Sequence, residues 1–244
     1  MLKGIILAGG KGTRLHPLTK TTSKQLLPVY NKPMIFYPFQ TLLDLGVEEI
    51  LIIGPDERIT NTYNELFGNG DRYDISVKYK VQESPGGIAE AFIIGEEFIG
   101  DDNVALILGD NIFVDCAFPC VEPNSIFVTA VADPSAYGVA VRNDNGTLNK
   151  VVEKPSEFIS SEAVVGLYIF DNRASEIAKT LKSSSRGELE IADMINKYKE
   201  LGDIWIEELD GYWFDAGDFD DLLDCANLIR AIETRTKKIV GLNE

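Results

Sequence analysis

Acidic residues are missing from the first 43 positions of this chain, although the whole protein carries a net charge of −16. The first acidic residue is Asp44, and the segment before it contains five Lys and one Arg. An acidic protein repels polyanions at long range, so a purely cationic segment predicts a local binding site for an anion. Residues 1–43 are called the acid-free segment below.

Cysteine and histidine are also scarce. The three cysteines, Cys116, Cys120 and Cys225, are too few and too irregularly spaced for a disulfide framework. No second cysteine pair accompanies Cys116 and Cys120, and His16 is the only histidine, so we expect no zinc site. Because reduced thiols are the rule inside cells, we expect a cytoplasmic protein.

Long hydrophobic runs are absent as well. No apolar run approaches the ~20 residues of a transmembrane helix, so no membrane partner is expected. The apolar start of the chain is interrupted by Lys3 and ends at Gly9-Gly10 without a cleavage site, so we expect no signal peptide. From Asp44 onward 17 basic residues stand against 39 acidic ones, which argues against nucleic acid as a partner.

Short apolar runs alternate with amphipathic helical patterns in the first half of the chain. At 244 residues and 45% hydrophobic content, the chain can form one α/β domain. The pattern predicts strands at 4–7, 50–53, 77–81, 104–108 and 126–131 and helices at 36–45, 60–67 and 88–98. This alternation is typical of a doubly wound, mostly parallel sheet, whose ligands bind at the carboxyl ends of the strands.

The second half of the chain has a different pattern. Residues 137–152 predict two strands joined by a tight turn at Asp144-Asn145-Gly146. Further along, the pattern predicts a strand at 164–170, helices at 174–182 and 189–201, a strand at 204–209 and a closing helix from Phe219. We therefore expect a mixed sheet with a small antiparallel extension.

A glycine-rich turn, Gly9-Gly10-Lys11-Gly12-Thr13-Arg14, follows the first apolar run. Glycines let the backbone approach a phosphate closely, and Arg14 can direct two N–H groups at phosphate oxygens. The spacing of a Walker P-loop is missing. A dinucleotide fingerprint would need a glycine in place of Leu15 and an acid in place of Gly54-Pro55, which disfavours an NAD-dependent dehydrogenase. A plain turn with solvated cations is the bland alternative.

Six segments of the chain carry a family resemblance: LAGGKGTRLHPLT, SKQLLPVYNKPM, LGDN, VEKP, RGELEIAD and WFDAG. Between residue 3 and about 230 the chain resembles sugar-1-phosphate nucleotidylyltransferases, and most of all the members that use dTTP and glucose 1-phosphate. The resemblance implies a Rossmann-like, GT-A-like nucleotidyltransferase fold in a single domain, 1–244. It divides that domain into a nucleotide-binding part (about 1–115), a sugar-phosphate-binding part (about 116–218) and a closing helix (about 219–238).

The resemblance also implies the reaction. An oxygen of glucose 1-phosphate would attack the α-phosphorus of dTTP, giving dTDP-glucose and pyrophosphate with the assistance of Mg²⁺. Arg14 would hold the triphosphate, and Lys24 would bridge the α-phosphate and the incoming sugar phosphate. Asp110 and Asp215 would bind Mg²⁺, although an Asp beside a Gly is about as often only a turn or helix cap.

Two sets of binding residues follow from the same resemblance. Gln82 and Gly87 would read the base, since a side-chain amide can donate to and accept from a pyrimidine edge. The nucleotide set comprises Leu7, Ala8, Gly9, Gly10, Gly12, Thr13, Gln25, Gln82 and Gly87. The sugar-phosphate set comprises Tyr137, Gly138, Glu153, Lys154, Val164 and Arg186. On its own, Gln82 could be a polar strand end, and Arg186 could equally be a charge at a helix start.

Several alternatives stay open at this point. Thymine and uracil differ by one methyl group, so UTP or CTP could replace dTTP. Asn31, Val165 and Ala216 depart from the family pattern by losing a charge or hydroxyl, so another sugar 1-phosphate could be preferred. A non-catalytic sugar-nucleotide sensor is a second alternative. We expect a homo-oligomer, and no inhibition by a distant effector because the chain stops where longer relatives continue.

Overall fold

The computed structural model describes residues 1–10, 12–118 and 122–243, so the expectations for Lys11 and Cys120 lie outside the described residues. In chain order the elements are β1 (Leu2–Leu7), β2 (Pro28–Val29), β3 (Lys32–Pro33), α1 (Phe36–Asp44), β4 (Glu49–Gly54), α2 (Glu57–Phe67), β5 (Ser76–Val81), α3 (Glu90–Ile94), α4 (Glu96–Ile99), β6 (Asn103–Leu108), β7 (Asn111–Val114), β8 (Ser125–Ala130), β9 (Gly138–Arg142), β10 (Leu148–Glu153), β11 (Glu162–Phe170), α5 (Ala174–Thr180), α6 (Ile191–Glu200), β12 (Trp205–Glu208), β13 (Tyr212–Asp215) and α7 (Phe219–Thr236).

The chain divides into two compact units, each made of separate stretches of sequence. Unit A comprises the described residues of Leu2–Ser84, Ile107–Phe118 and Asp210–Glu244. Unit B comprises Met1 and the described residues of Pro85–Leu106 and Pro119–Leu209. Each unit is described by itself.

Unit A is built on the parallel strands β1, β4 and β5, in that order. Ile5 pairs with Leu51, and Ile52 pairs with Tyr79. The apolar cores of β1 and β4 are buried, as expected for parallel strands covered on both faces, whereas Val77 alone is buried in β5. Helix α2 begins one turn earlier than the apolar pattern predicts, because the Asp56 side chain accepts a hydrogen bond of 2.8 Å from the Ile59 amide and caps the helix.

Two short antiparallel pairs complete the sheet structure of unit A. Strand β2 pairs with β3, and β7 pairs with β13 so that Asp215 lies opposite Asn111. The sequence pattern predicted neither pair, because runs of two to four residues are too short to show a period. The second pair matters most, since β7 follows Asp110 and β13 ends at Asp215.

The closing helix expected from Phe219 is present as α7 and packs over a hydrophobic cluster of unit A. Cys225 and Ile229 are fully buried in that cluster with Tyr37. Further along the helix, Glu233 pairs with Lys32, whose ammonium also donates to the Val240 carbonyl at 2.7 Å. Cys225 and Cys116 are free thiols.

Unit B contains strands in the order β10, β9, β11, β8, β12, of which only the β8–β12 pair is parallel. The expected tight turn between β9 and β10 is wrong in detail. Five residues, 143–147, connect the strands, and Gly146 alone of the three predicted turn residues has a positive φ, 82°. The Asn143 amide donates to the Thr147 carbonyl at 2.8 Å, so a longer loop satisfies the backbone.

The single helix predicted at 88–98 is also wrong, because it divides into α3 and α4 at Gly95. Glycine has no side chain to restrict its backbone and is a poor helix former. The other predicted elements are present within a few residues. The expected α/β class with a mixed, mostly parallel sheet and small antiparallel parts is confirmed. Within the described ranges, no helix is long and apolar enough to cross a membrane.

A carboxylate, Asp171, holds the loop before α5 in unit B. It accepts hydrogen bonds from Arg173 Nε at 2.8 Å, from the Tyr198 hydroxyl at 3.0 Å and from Asn124 Nδ2 at 3.1 Å. Burial by itself would raise the pKa of Asp171, but these donors outweigh it and hold the pKa below its ordinary value. The folded protein therefore favours the ionised form.

We predict that Asp171→Asn lowers the free energy of unfolding at neutral pH and makes it less dependent on pH in the acid range. The pKa of Asp171 is lower in the folded than in the unfolded protein, so its stabilisation is present above the unfolded-state pKa and is lost as the pH falls through the folded-state value. Urea denaturation at a series of pH values measures this. Asp144→Asn, in the exposed 143–147 loop, is the control, and equal acid dependence of both variants would contradict the prediction.

Candidate active site

The glycine-rich turn follows β1 directly. The Ala8 amide continues the parallel ladder by donating to the Ile53 carbonyl at 2.8 Å. Gly12 has a positive φ of 59°, and its carbonyl accepts a 2.6 Å hydrogen bond from the Thr19 hydroxyl. A left-handed backbone at this position favours glycine. The turn is therefore fixed by its own chain and exposes the backbone that was expected to receive phosphates.

Gln82 lies against this turn. It follows β5, and its amide donates to the Gly54 carbonyl at 2.9 Å. A Cβ atom placed on Gly9 would come within 2.9 Å of Gln82 Oε1, so a glycine is needed for the side chain to lie there. The structure thus brings together two expected nucleotide residues that are 73 positions apart.

Lys24 stands in a short 3-10 helix, Lys24–Leu26, which Ser23 caps. Its ammonium group forms an ion pair with the Asp110 carboxylate, and the two side chains are only 12% and 11% exposed. A Cβ atom on Gly10 would lie 3.7 Å from Lys24 Nζ. Turn, lysine and carboxylate therefore occupy one place in unit A.

Backbone hydrogen bonds place Asp215 next to Asp110. Gly109, just before Asp110, donates to the Leu7 carbonyl at 2.9 Å, which places Asp110 beside the end of β1. The Ala216 amide donates to the Asp110 carbonyl at 2.9 Å and extends the β7–β13 pairing to the two carboxylates. The two aspartates, 105 positions apart, are thereby adjacent.

Arg14 faces the second carboxylate. Its Nη2 atom is 3.6 Å from Asp215 Oδ2, and its Nη1 atom is 3.9 Å from Asp218 Oδ2. The guanidinium side chain is 56% exposed, so it is held more loosely than Lys24. A Cβ atom on Gly217 would lie 2.4 Å from Arg14 Nη2, which explains the glycine after Asp215-Ala216.

The charges of these residues are interdependent. Burial would raise the pKa of Asp110, but the Lys24 ammonium group outweighs it and holds the pKa below its ordinary value. For Asp215, burial and the negative charge of Asp110 raise the pKa, and Lys24 and Arg14 only partly offset them. The negative charge of the two adjacent carboxylates is thus only partly offset by the neighbouring cations.

A divalent metal ion fits this imbalance. Within the described residues no group of three His, Cys, Asp or Glu side chains could hold a metal ion. Asp110 and Asp215 offer carboxylate oxygens, and a bound polyphosphate would supply more oxygens. Mg²⁺ characteristically binds through one or two carboxylates together with substrate phosphates, so the residues present suit this ion.

The residues expected at the sugar phosphate lie together in unit B. Gly138 pairs with Glu153 across the β9–β10 hairpin, and the Lys154 amide donates to the Tyr137 carbonyl at 2.9 Å. Arg186 joins them, because its Nη2 atom donates to Glu153 Oε1 at 3.1 Å. A cation from a distant loop therefore binds the carboxylate of the hairpin, which Lys154 also approaches, at 3.9 Å.

Acidic and basic side chains also act against each other in this second cluster. Burial raises the pKa of Glu153, Glu190 adds to the effect, and Lys154 and Arg186 oppose it. Arg186 also donates to the buried Glu190 at 2.7 Å. Arg186 is therefore more than a charge at a helix start, because it links two carboxylates.

Gly87 and Val164 have packing partners inside unit B. Gly87 has a φ of 97°, and a Cβ atom there would lie 2.4 Å from the Leu189 carbonyl oxygen. The glycine allows the backbone of Leu189, whose amide donates to the Gly86 carbonyl at 2.7 Å, to approach closely. Val164 is buried in β11 opposite Val128. The roles of Gly87 and Val164 toward a ligand stay predictions.

Some residues at the site were not predicted from the sequence. Asp218 was not expected, although an Asp one residue before a predicted helix is a capping signal. Asn111 accepts a 2.6 Å hydrogen bond from Trp213 Nε1 and donates to Asp110 at 3.3 Å, a link that depends on the unpredicted β7–β13 pair. Asn31, which departs from the family pattern, donates to Glu233 at 2.9 Å, where an aspartate would be repelled.

Known proteins are similar to this chain over most of its length. A family model described as nucleotidyl transferase matches residues 3–231. A glucose-1-phosphate thymidylyltransferase of Neisseria meningitidis is 45% identical over 95% of this chain and 84% of its own length. The enzyme of the same name from Mycolicibacterium smegmatis is 44% identical over 100% of this chain and 87% of its own length.

Solved structures are similar as well. A Bacillus anthracis protein, whose proposed activity is that of a glucose-1-phosphate thymidylyltransferase and which was crystallised with sucrose, superposes with a TM-score of 0.88 at 39% identity, over 94% of this chain and 96% of its own. A UDP-glucose pyrophosphorylase complexed with UDP-glucose gives a TM-score of 0.80 at 26% identity, over 98% and 100% of the two chains.

We predict that Lys24→Met lowers the free energy of unfolding by about 3 kcal/mol, because it leaves a buried carboxylate without its partner. The double variant Lys24→Met/Asp110→Asn should recover most of that loss, since the unpaired charge is gone. Chemical denaturation measures both. Lys20→Met, at an exposed position of the acid-free segment, should change stability by less than about 0.5 kcal/mol. A double variant as unstable as the single one would disprove the pairing argument.

Proposed function

The chain belongs to the nucleotidyl transferase family, and we propose that it transfers the thymidylyl group of dTTP to α-D-glucose 1-phosphate, giving dTDP-glucose and pyrophosphate. The observation that carries this proposal is the cluster of Arg14, Lys24, Asp110 and Asp215 beside a glycine-rich turn in unit A. The names of relatives at 44–45% identity supply the substrates.

The reaction is a substitution at phosphorus. A phosphate oxygen of glucose 1-phosphate forms a bond to the α-phosphorus of dTTP, and the bond from that phosphorus to the oxygen bridging the α- and β-phosphates breaks. The bonding electrons leave with pyrophosphate. The attacking oxygen is already anionic, so no side chain has to remove a proton from it. The protein has to position two anions and neutralise their charge.

The two cations of unit A suit different parts of this task. Lys24 is buried and held in place by Asp110, so its position is set before substrate arrives. We assign it to the α-phosphate and the incoming sugar phosphate. Arg14 is more exposed and lies at 3.6–3.9 Å from its carboxylate partners. It can turn to the β- and γ-phosphates and to the departing pyrophosphate, where its planar fork matches the oxygens.

We assign a Mg²⁺ ion to Asp110 and Asp215. When bound, it would neutralise charge on the phosphate oxygens of the transferred group. Both aspartates are already in contact with cations of the site, so the protein holds the carboxylates in place in advance. Their shared excess of negative charge favours a divalent cation over a lone ammonium group.

The two organic groups are assigned to different sets of residues. In unit A we assign the base to Gln82 and the triphosphate backbone to the turn from Leu7 to Thr13, with Gln25 beside it. In unit B we assign the sugar phosphate to Lys154 and Arg186 and the sugar hydroxyls to Glu153, which can accept hydrogen bonds from them. Gly87, Tyr137, Gly138 and Val164 complete the assignment. A single domain, a homo-oligomer and a cytoplasmic location stay predictions.

A pyrophosphate-release assay across dTTP, UTP and CTP, each with several sugar 1-phosphates, tests the proposed function. We expect the fastest turnover with dTTP and glucose 1-phosphate. Arg14→Ala and Lys24→Ala should each lower kcat/KM by about 10²–10³, since each removes a group that stabilises transition-state charge. Arg230→Ala and Lys20→Ala, at exposed positions, are matched controls. Faster turnover with UTP would make the chain a uridylyltransferase, and no release with any pair would favour a sugar-nucleotide sensor.

Removal of divalent metal should abolish turnover. We expect full loss of pyrophosphate release in EDTA and recovery on adding an excess of Mg²⁺, because two crowded carboxylates and six or more phosphate oxygens cannot be balanced by Arg14 and Lys24 alone. Asp215→Asn should need a higher Mg²⁺ concentration for half-maximal rate than the unchanged protein. Undiminished activity in EDTA would rule out the metal assignment.

A further inference from the structure

A buried tyrosine, Tyr63, joins three segments of unit A. It lies in α2 and is fully buried. Its hydroxyl donates to the Ser23 hydroxyl oxygen at 2.9 Å and also lies 3.4 Å from the Ala8 carbonyl oxygen. Helix α2, the glycine-rich turn and the turn that bears Lys24 therefore meet at one phenol. Burial raises the pKa of Tyr63 well above its ordinary value, so the hydroxyl stays a donor at any working pH.

The two hydrogen bonds that the Ser23 hydroxyl accepts determine where it donates its own proton. Its oxygen accepts from the Tyr63 hydroxyl and, at 3.4 Å, from the Gln25 amide. A hydroxyl has two acceptor lone pairs and one proton, so with both lone pairs engaged it can only donate. It donates to Gln25 Oε1. The order of donation runs from Tyr63 through Ser23 to Gln25.

This order fixes how the Gln25 side chain is presented. Its Oε1 atom is engaged by Ser23, which leaves the Nε2 group as the free end of the amide. Gln25 is 1% exposed, and a Cβ atom on Gly109, next to Asp110, would lie 3.0 Å from Gln25 Cγ. No hydrogen bond of Gln25 Nε2 joins it to the described part of the protein. A buried amide donor beside the phosphate-binding turn is thus left for a ligand.

We propose that Tyr63 is a positioning residue of the nucleotide site. Through Ser23 it holds the Gln25 amide so that Nε2, which can only donate, meets an acceptor oxygen of the nucleoside triphosphate. The proposal rests on the proposed function for the identity of the ligand. It adds the reason why the amide cannot turn round: the reversed amide would point Nε2 at a Ser23 oxygen whose lone pairs are already engaged.

The test removes single hydroxyl groups. Tyr63→Phe keeps the buried ring and should raise KM for dTTP roughly 3- to 10-fold with a smaller change in kcat, the size of one lost hydrogen bond. In a Gln25→Ala background, Tyr63→Phe should have no further effect on KM. Tyr37→Phe is the control, because that buried tyrosine of unit A donates to the Val29 carbonyl instead. The same rise in KM with and without Gln25 would overturn the proposal.

Two further arms complete the test. Binding of inorganic tripolyphosphate and of dTTP to Gln25→Ala, measured by calorimetry, locates the acceptor oxygen: loss with both places it on a phosphate, and loss with dTTP alone places it on the nucleoside. The relay is also read without substrate, from the side-chain NH₂ resonances of Gln25. Tyr63→Phe should shift them and Tyr37→Phe should not. Unmoved resonances overturn the relay, whereas shifted resonances in a protein without thymidylyltransferase activity would overturn only the proposed function.

Discussion

The close approach of two carboxylates, Asp110 and Asp215, determines how the charged residues of unit A are arranged. Asp110 ends the loop after β6, and Asp215 ends β13, and the pairing of β7 with β13 brings them together across more than a hundred residues. Such a pair is unfavourable by itself, since burial and mutual repulsion both penalise the charged forms. Lys24 and Arg14 offset that penalty, and the acid-free segment is the part of the chain that supplies both. An acid among those 43 residues would compete for the same cations.

The sequence pattern predicted those helices and strands that are long enough to show a repeat of apolar residues. Strands β1 and β4 carry short apolar runs, 5–7 and 50–53, and the glycine-containing turns expected for this fold class follow them. The fold class and the positions of the glycine-rich turn and Asp110 at strand ends follow from that, whereas the grouping with Lys24 came from the family resemblance. What the pattern missed is short or depends on partners: β7 and β13 have four residues each and are defined only by each other. The family resemblance named Asp215 but could not show which backbone contact places it.

Lys24 and Arg14 differ in how firmly their carboxylate partners hold them. Lys24 forms a buried ion pair with Asp110, in which the attraction is weakly screened. Loss of this partner would leave a buried charge unpaired. Arg14 makes long contacts at a largely exposed side chain, which water and salt screen. In the proposed reaction a triphosphate would therefore displace the partners of Arg14 at small cost, and we propose Lys24 as the fixed point toward which the α-phosphate moves.

Helix α7 contacts chain segments near both of these cations. Its first residues follow Asp218, which pairs with Arg14, and its last turn contains Glu233, which binds Asn31 and Lys32 in the hairpin that continues from the Lys24 turn. An α-helix of 18 residues spans about 27 Å, so a single helix separates the Asp218 contact with Arg14 from the Glu233 contacts with Asn31 and Lys32. The neutral Asn31 suits this role because it donates to Glu233 without competing with Lys32 for it. The substitution that departs from the family pattern thus strengthens a brace, and its consequence should be sought in the placement of Lys24 as well as in the choice of sugar.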